Sequence, residues 1–191
     1  MAACDAGTTT PSPSPAVTAT ASTSATPSPR PTPSAGYKPA TATSKAQNVP
    51  IPVLPEAAKK KTPEGAKAFV GYWTTALSYA YETGDTRYAA PLGTSGCQLC
   101  QSLLHALEEK WDDGGWIEGG KITAGPSEIR ARLANERVGL VAQFNQASFK
   151  THRANGSISE SQGIDTLALG ISLEFAGGSW RIRDAKLWTA R

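Results

Sequence analysis

From Thr62 onward the chain sets apolar residues at a helical period. Ala66, Phe69, Val70, Trp73, Ala76, Leu77, Ala80 and Tyr81 recur at three- and four-residue intervals and predict one long amphipathic helix. Thr62 is a capping residue, Pro63 suits the first helical position, Glu64 favours the positive end of the dipole, and Gly84 is a natural stop. Asp85 to Ala90 reads as a short helical turn closed by Pro91. A second helix follows a cap at Ser95. Cys97, Cys100, Leu103, Leu104, Leu107 and Trp111 share its apolar face, and Asp112-Asp113-Gly114-Gly115 ends it.

Beyond Gly115 the period changes to two. Trp116 to Thr123 reads as a strand with a bulge or bend at Gly119-Gly120. Ile129, Ala131 and Leu133 alternate, as do Val138, Leu140, Ala142 and Phe144. Asn155-Gly156 is a hairpin turn signal. Leu167, Leu169, Ile171, Leu173 and Phe175 alternate without a break, Ala176-Gly177-Gly178-Ser179 turns the chain, and Trp180 to Asp184 forms the last strand. Helices first and strands after imply an α+β fold, with two N-terminal helices packed on one face of a curved antiparallel sheet.

Residues 5 to about 55 carry neither period. They hold 11 of the 14 prolines and almost no large apolar side chain. Such a stretch buries too little surface to offset its ordering entropy and is expected to be disordered. The chain thus divides into residues 1–55, a tail, and 56–191, a domain. The domain is of ordinary single-core size and holds all five Trp and all four Phe. About 50 residues of tail would reach about 150 Å fully extended and average about 40 Å as a coil. Val49-Pro50-Ile51-Pro52-Val53-Leu54-Pro55 ends the tract, with apolar residues alternating with prolines, and reads as an extended strap against the domain.

Cys4 sits behind Met1-Ala2-Ala3 and opens this tract. A cysteine after two small residues, followed by a stalk composition, looks like the mature start of a bacterial lipoprotein, with lipid on Cys4. A secretory leader has a basic stretch and an apolar core before its cleavage site. Neither precedes Cys4, so the expectation is that this chain starts near the cleavage site or that its start codon lies further upstream. The alternative is a cytoplasmic chain with an accidental Ala-Ala-Cys.

Charge sharpens the division. Before Thr62 there are six basic and two acidic residues, and from Thr62 onward 13 basic and 14 acidic, so the overall +3 belongs to the tail. A nucleic-acid binder concentrates cations on its fold, and this domain does not. The expected partners are a membrane, through lipid on Cys4, and either a small apolar ligand or an envelope protein.

Cys97-Gln98-Leu99-Cys100 is the one reactive motif. With Cys4 acylated, Cys97 and Cys100 are left to pair in an oxidising compartment. A CxxC at a helix start can also be a redox pair, but the thioredoxin arrangement needs a preceding strand, and here the upstream element is a helix. A structural disulfide is the expectation. Two histidines are a poor supply of zinc ligands, and no metal or cofactor is expected. His105 and His152 both read as surface residues. Phe69, Tyr72, Trp73 and Trp111 are the candidates for lining an apolar pocket, the alternative being that they are simply core.

The long first helix with Phe69, Tyr72 and Trp73, and the closing Gly178-Ser179-Trp180-Arg181-Ile182-Arg183-Asp184, resemble the nuclear-transport-factor-2-like (NTF2-like, SnoaL-like) superfamily, which has a cystatin-like cone fold. With the tail and the Cys97/Cys100 pair, the chain is similar to a family of actinobacterial lipoproteins carrying a domain of unknown function. The resemblance covers about Pro55 to Leu187 and implies a fold and an extracytoplasmic location. Cone-fold enzymes use a His/Asp or Tyr/Asp set inside the cavity, for which Tyr72, Tyr88, Asp85 and Asp184 stand as candidates by position. The leading expectation is a non-enzymatic binding or interaction module. A small-molecule isomerase or hydrolase is the alternative, and an envelope thiol–disulfide oxidoreductase a weaker one.

Overall fold

The computed structural model describes residues 36–133 and 137–189. Cys4 and the tract up to residue 35 lie outside the described residues.

Helix α1 (Pro63–Thr83) starts and stops on the residues that the sequence marks. The Gly65 N–H donates to Thr62 Oγ1 at 3.0 Å, and Gly84 closes the helix at φ 75°. Its buried stripe runs through Ala66, Phe69, Val70, Trp73, Ala76, Leu77 and Ala80. Helix α2 (Gln98–Trp111) begins later than expected. Cys97, not Ser95, takes the capping position, and the Cys100 N–H points at Cys97 Sγ at 3.3 Å. The reason is covalent. Cys97 and Cys100 are joined in a disulfide across the first turn, which holds Cys97 just outside helical conformation.

Seven strands follow among the described residues. They are β1 (Trp116–Gly119), β2 (Ile122–Leu133), β3 (Arg137–Gln146), β4 (Phe149–His152), β5 (Ile158–Ser161), β6 (Ile164–Ala176) and β7 (Ser179–Leu187). One antiparallel sheet has the order β2-β3-β6-β7 and the other β1-β4-β5. The long sheet carries register shifts between Ala124 and Ser127, Ile129 and Ala131, Phe144 and Gln146, and Ser172 and Leu173. Such irregularities bend strands.

The segment from Trp116 to Thr123 is therefore not one bulged strand. Gly119 and Gly120 both have positive φ, 86° and 75°, and pass the chain from the short sheet to the long one. A Cβ on Gly119 would stand 2.6 Å from the Ser148 carbonyl oxygen, so the turn needs glycine for space as well as for angle.

Helix α1 packs on β2 and β3, and α2 on β7. The main core joins Phe69, Val70, Trp73 and Leu77 to Leu140, Phe144, Leu169, Ile171, Leu173 and Ile182. A smaller cluster of Ala80, Tyr81, Leu107 and Ile117 links both helices to the short sheet. The result is α+β, with helices over antiparallel strands.

The chain is fixed to this body well before residue 55. Residues 38–47 form a small hairpin bridged at Lys38–Gln47 and Thr41–Ser44. Trp116 Nε1 donates to the Thr41 carbonyl at 2.9 Å, the Tyr37 hydroxyl donates to Glu82, and Lys45 Nζ stands 5.4 Å over the Trp111 ring. The Pro-alternating stretch then lies as an extended strap. Pro52 is buried and Leu54 packs on the main core, while Ile51 and Val53 face solvent. The hairpin is thus held by polar and cation–ring contacts from Tyr37, Thr41 and Lys45, and the strap by the burial of Pro52 and the packing of Leu54.

Candidate functional site

An apolar cavity of about 120 Å³ remains where α1, α2 and the long sheet meet. Its wall is Trp73, Leu77 and Tyr81 from successive turns of α1, Leu103 from α2, and Phe144 and Leu169 from β3 and β6. Trp73 meets Phe144 edge-to-face at 5.8 Å between ring centres, and Tyr81 meets Phe149 in the same way at 5.7 Å. These contacts hold the rings in place and leave a gap between them. Asn145 and Gln146 supply polar atoms to the lining, and the Gln146 amide reaches the Gly120 carbonyl at 3.5 Å. The pocket is partly open to solvent past Ile164, and apolar walls of this kind suit an apolar guest.

Of the aromatic candidates, Trp73 is the one on this wall. Phe69 is buried in the main core. Tyr72 is half-buried, and its hydroxyl pKa is raised by burial and by neighbouring Tyr88. Trp111 packs against the smaller cluster, over Gly84, with its indole N–H buried and unpartnered among the described residues.

The acid–base candidates divide. Tyr88 stands near Tyr72 and meets Tyr79 edge-to-face at 5.3 Å, while Asp85, just past the end of α1, lies near Tyr79. Asp85 is held by the Arg87 guanidinium through contacts of 2.9 and 2.8 Å, and that hydrogen bond keeps its carboxyl below the usual range. Asp184 lies elsewhere, on β7, 3.6 Å from Lys186. Neither group faces the apolar cavity.

The disulfide is inaccessible. Cys97 and Cys100 are 0% and 4% exposed. Gly93 lies directly against them, and a Cβ there would approach the Cys100 Cβ to 2.9 Å. Gly93 also bridges to Ile182, and the Thr94 N–H donates to the Ile182 carbonyl at 2.8 Å. The Gly93–Thr94 segment thus ties the approach to α2 to the last strand and covers the disulfide, which itself closes only the first turn of the helix. Exchange needs a thiolate to reach a sulfur, and this packing obstructs it.

One sequence expectation is corrected. His105 is exposed beside Glu109, but His152 is not a surface residue. It is 3% exposed, stacked on Trp116 at 4.7 Å with the rings 10° from parallel. Its Nε2 stands 2.8 Å from Glu118 Oε2, and because a carboxylate only accepts, the imidazole donates. Pairing of β1 with β4 sets Trp116 opposite His152, a juxtaposition that crosses 36 positions of sequence.

The architecture is thus that of an α+β domain with a small apolar pocket. The chain belongs to the family of unknown function DUF6318, whose profile matches residues 35–186. No curated protein matches it. Among solved structures it is similar to the intermembrane space region of the chloroplast protein ARC6, at 14% identity and a TM-score of 0.46 over 68% of this chain and 98% of that one. It is also similar to Aln2 from a Streptomyces species, at 12% and 0.41 over 65% and 89%. A protein with a cystatin-like fold from Nostoc punctiforme is similar at 7% and 0.40, over 63% and 88%. No described helix is long and apolar enough to cross a membrane.

Proposed function

We propose that this chain is an extracytoplasmic lipoprotein whose domain, an NTF2-like cystatin-like cone, binds a small apolar group without transforming it. The observation that carries the binding reading is the cavity walled by Trp73, Leu77, Tyr81, Leu103, Phe144 and Leu169. Its size suits a single ring or the end of an acyl chain rather than a whole drug-sized ligand, for which sites are several times larger. Catalysis at this site would need converging acid and base groups, whereas its lining is aromatic and aliphatic apart from the amides of Asn145 and Gln146 and the Tyr81 phenol. The closing Gly178-Ser179-Trp180-Arg181-Ile182-Arg183-Asp184 and the helix-then-sheet order support the cone assignment.

Benzene is the direct probe. At ten times its Kd, a ligand bound to the folded state alone adds about 1.4 kcal/mol, which is about 3–6 °C in Tm for a chain of this size. Leu103→Phe fills the void and is expected to abolish that shift while leaving the protein folded. A shift that survives in Leu103→Phe would place the guest elsewhere and remove the reading.

The anchor rests on Cys4 and the stalk composition behind it. Expressed in a native host with its upstream codons, Cys4→Ala is expected to leave the membrane fraction and appear in the medium. Unchanged membrane retention of that variant, measured by fractionation and immunoblotting, would refute acylation at this position.

A further inference from the structure

A second and larger cavity, of about 340 Å³, opens between the N-terminal hairpin and the outer side of α1. It is distinct from the apolar void. Tyr37, Pro39 and Pro50 form one wall, Tyr79 the other, and the fully buried Ile117 belongs to its lining. These residues make an apolar channel with two aromatic rings. The lining also carries two opposite charges, Glu82 and Lys121.

Glu82 stands on the last turn of α1 and accepts the Tyr37 hydroxyl. Burial, and then that bond, push the Tyr37 pKa up to about 12, so the phenol remains a neutral donor. A carboxylate has about four acceptor sites, and among the described residues no cation lies within ion-pair distance of Glu82. Lys121 stands further back along the helix. The N–H of the next residue, Ile122, donates to Ser78 Oγ at 3.1 Å, and Lys121 shares an adjoining hollow with Thr75 and Ser78. Ser78 and Thr75 precede Glu82 by one and two turns, an axial offset of about 6–10 Å. No carboxylate among the described residues pairs with Lys121 either.

We propose that this cleft binds a short zwitterion with an apolar middle, its ammonium group at Glu82 beside the faces of Tyr37 and Tyr79, and its carboxylate at Lys121. Each part of the ligand answers a feature of the cleft. An ammonium gains from the carboxylate and from the negative faces of the tyrosine rings. A run of methylenes lies against proline and isoleucine. The anionic end meets the lysine. A cation alone would leave Lys121 unmatched, and an anion alone would face Glu82. The same charge pair occurs on a free ω-amino acid and on the C-terminal lysine of a peptide.

The probe is 6-aminohexanoate, titrated calorimetrically into the full chain beside hexylamine and hexanoate. The zwitterion is expected to bind, with each singly charged analogue weaker by about ten-fold or more, because each loses one charge-assisted contact. Glu82→Gln keeps an acceptor for Tyr37 and so keeps the wall in place, and Lys121→Ala changes an exposed side chain. Each variant is expected to weaken 6-aminohexanoate by a similar factor while its thermal unfolding stays near that of the parent. A tetrapeptide ending in a free lysine separates the two sources. Tighter binding than 6-aminohexanoate assigns the site to a protein C terminus, and weaker binding to a free small molecule. No binding of 6-aminohexanoate at millimolar concentration, or equal binding of 6-aminohexanoate by the parent and Glu82→Gln, would overturn the proposal.

Discussion

Trp73→Ala is expected to lower the stability of the domain by about 3–5 kcal/mol. The indole is 3% exposed, contacts Phe144 edge-to-face, and belongs to the main core. It also forms part of the wall of an existing void, so its removal enlarges a gap that the surroundings already fail to close. Cost rises with the volume left behind, which places this site at the upper end of the range. Urea denaturation should show a lower midpoint with an unchanged slope, the signature of lost stability rather than an altered unfolded state. A loss below about 1 kcal/mol, the scale of an ordinary surface change, would mean that the ring is not a core element.

Gly65→Ala should be nearly as damaging, although it adds a single methyl group. A Cβ at this position would lie 2.0 Å from the Lys60 carbonyl oxygen and 2.8 Å from that of Ala57. Both are backbone atoms, so no side-chain rotation relieves the clash. The Lys60 carbonyl also accepts the Trp180 indole N–H at 2.9 Å, across 120 residues of sequence. Displacing it breaks a link between the turn that precedes α1 and the last strand. Overpacking and the lost bond together are expected to cost about 2–4 kcal/mol. Trp180→Phe removes the same bond from the other side, so the double variant should cost clearly less than the sum of the two single ones. Strict additivity would show that the Lys60 carbonyl does not carry the effect.

The parts of this fold that can be read from sequence are those with a single apolar side. Helix α1 announces itself because one side is buried along its length, first on the Glu56–Lys59 turn and then on the strands, so the period of Phe69, Val70, Trp73 and Leu77 is uninterrupted. Strand β6 does the same at a period of two, with Leu169, Ile171 and Leu173 all buried. The pairing of Cys97 with Cys100 follows from cysteine number and spacing. Gly119-Gly120 is ambiguous by nature, since a G1-type bulge and a turn between sheets both use glycine at positive φ.

The rest depends on partners remote in sequence. The hairpin at residues 38–47 looks like tail because its own composition is polar, and its anchors lie far off. Tyr37 bonds to a residue 45 positions away and Thr41 to one 75 positions away. His152 is buried only because β4 pairs with β1, which brings Trp116 and Glu118 beside it. An alternating Trp-x-Glu opposite a lone histidine was the available signal, and it requires the strand register to be meaningful. At the candidate site, Trp73, Leu77 and Tyr81 are visible as a helical stripe. That Leu103 and Phe144 stop short of filling the space between them is a fact of packing that no single residue records.

The hairpin at Lys38–Gln47 has a mechanical consequence. A pull on the chain from its N-terminal side reaches the domain first at Tyr37, and then at two isolated bridges and the Trp116–Thr41 contact. These are few and solvent-facing, so they peel before α1 or the long sheet bears load. Ten residues released in this way add up to about 35 Å of free chain. The element thus behaves as a fuse, absorbing extension at the surface and sparing the core.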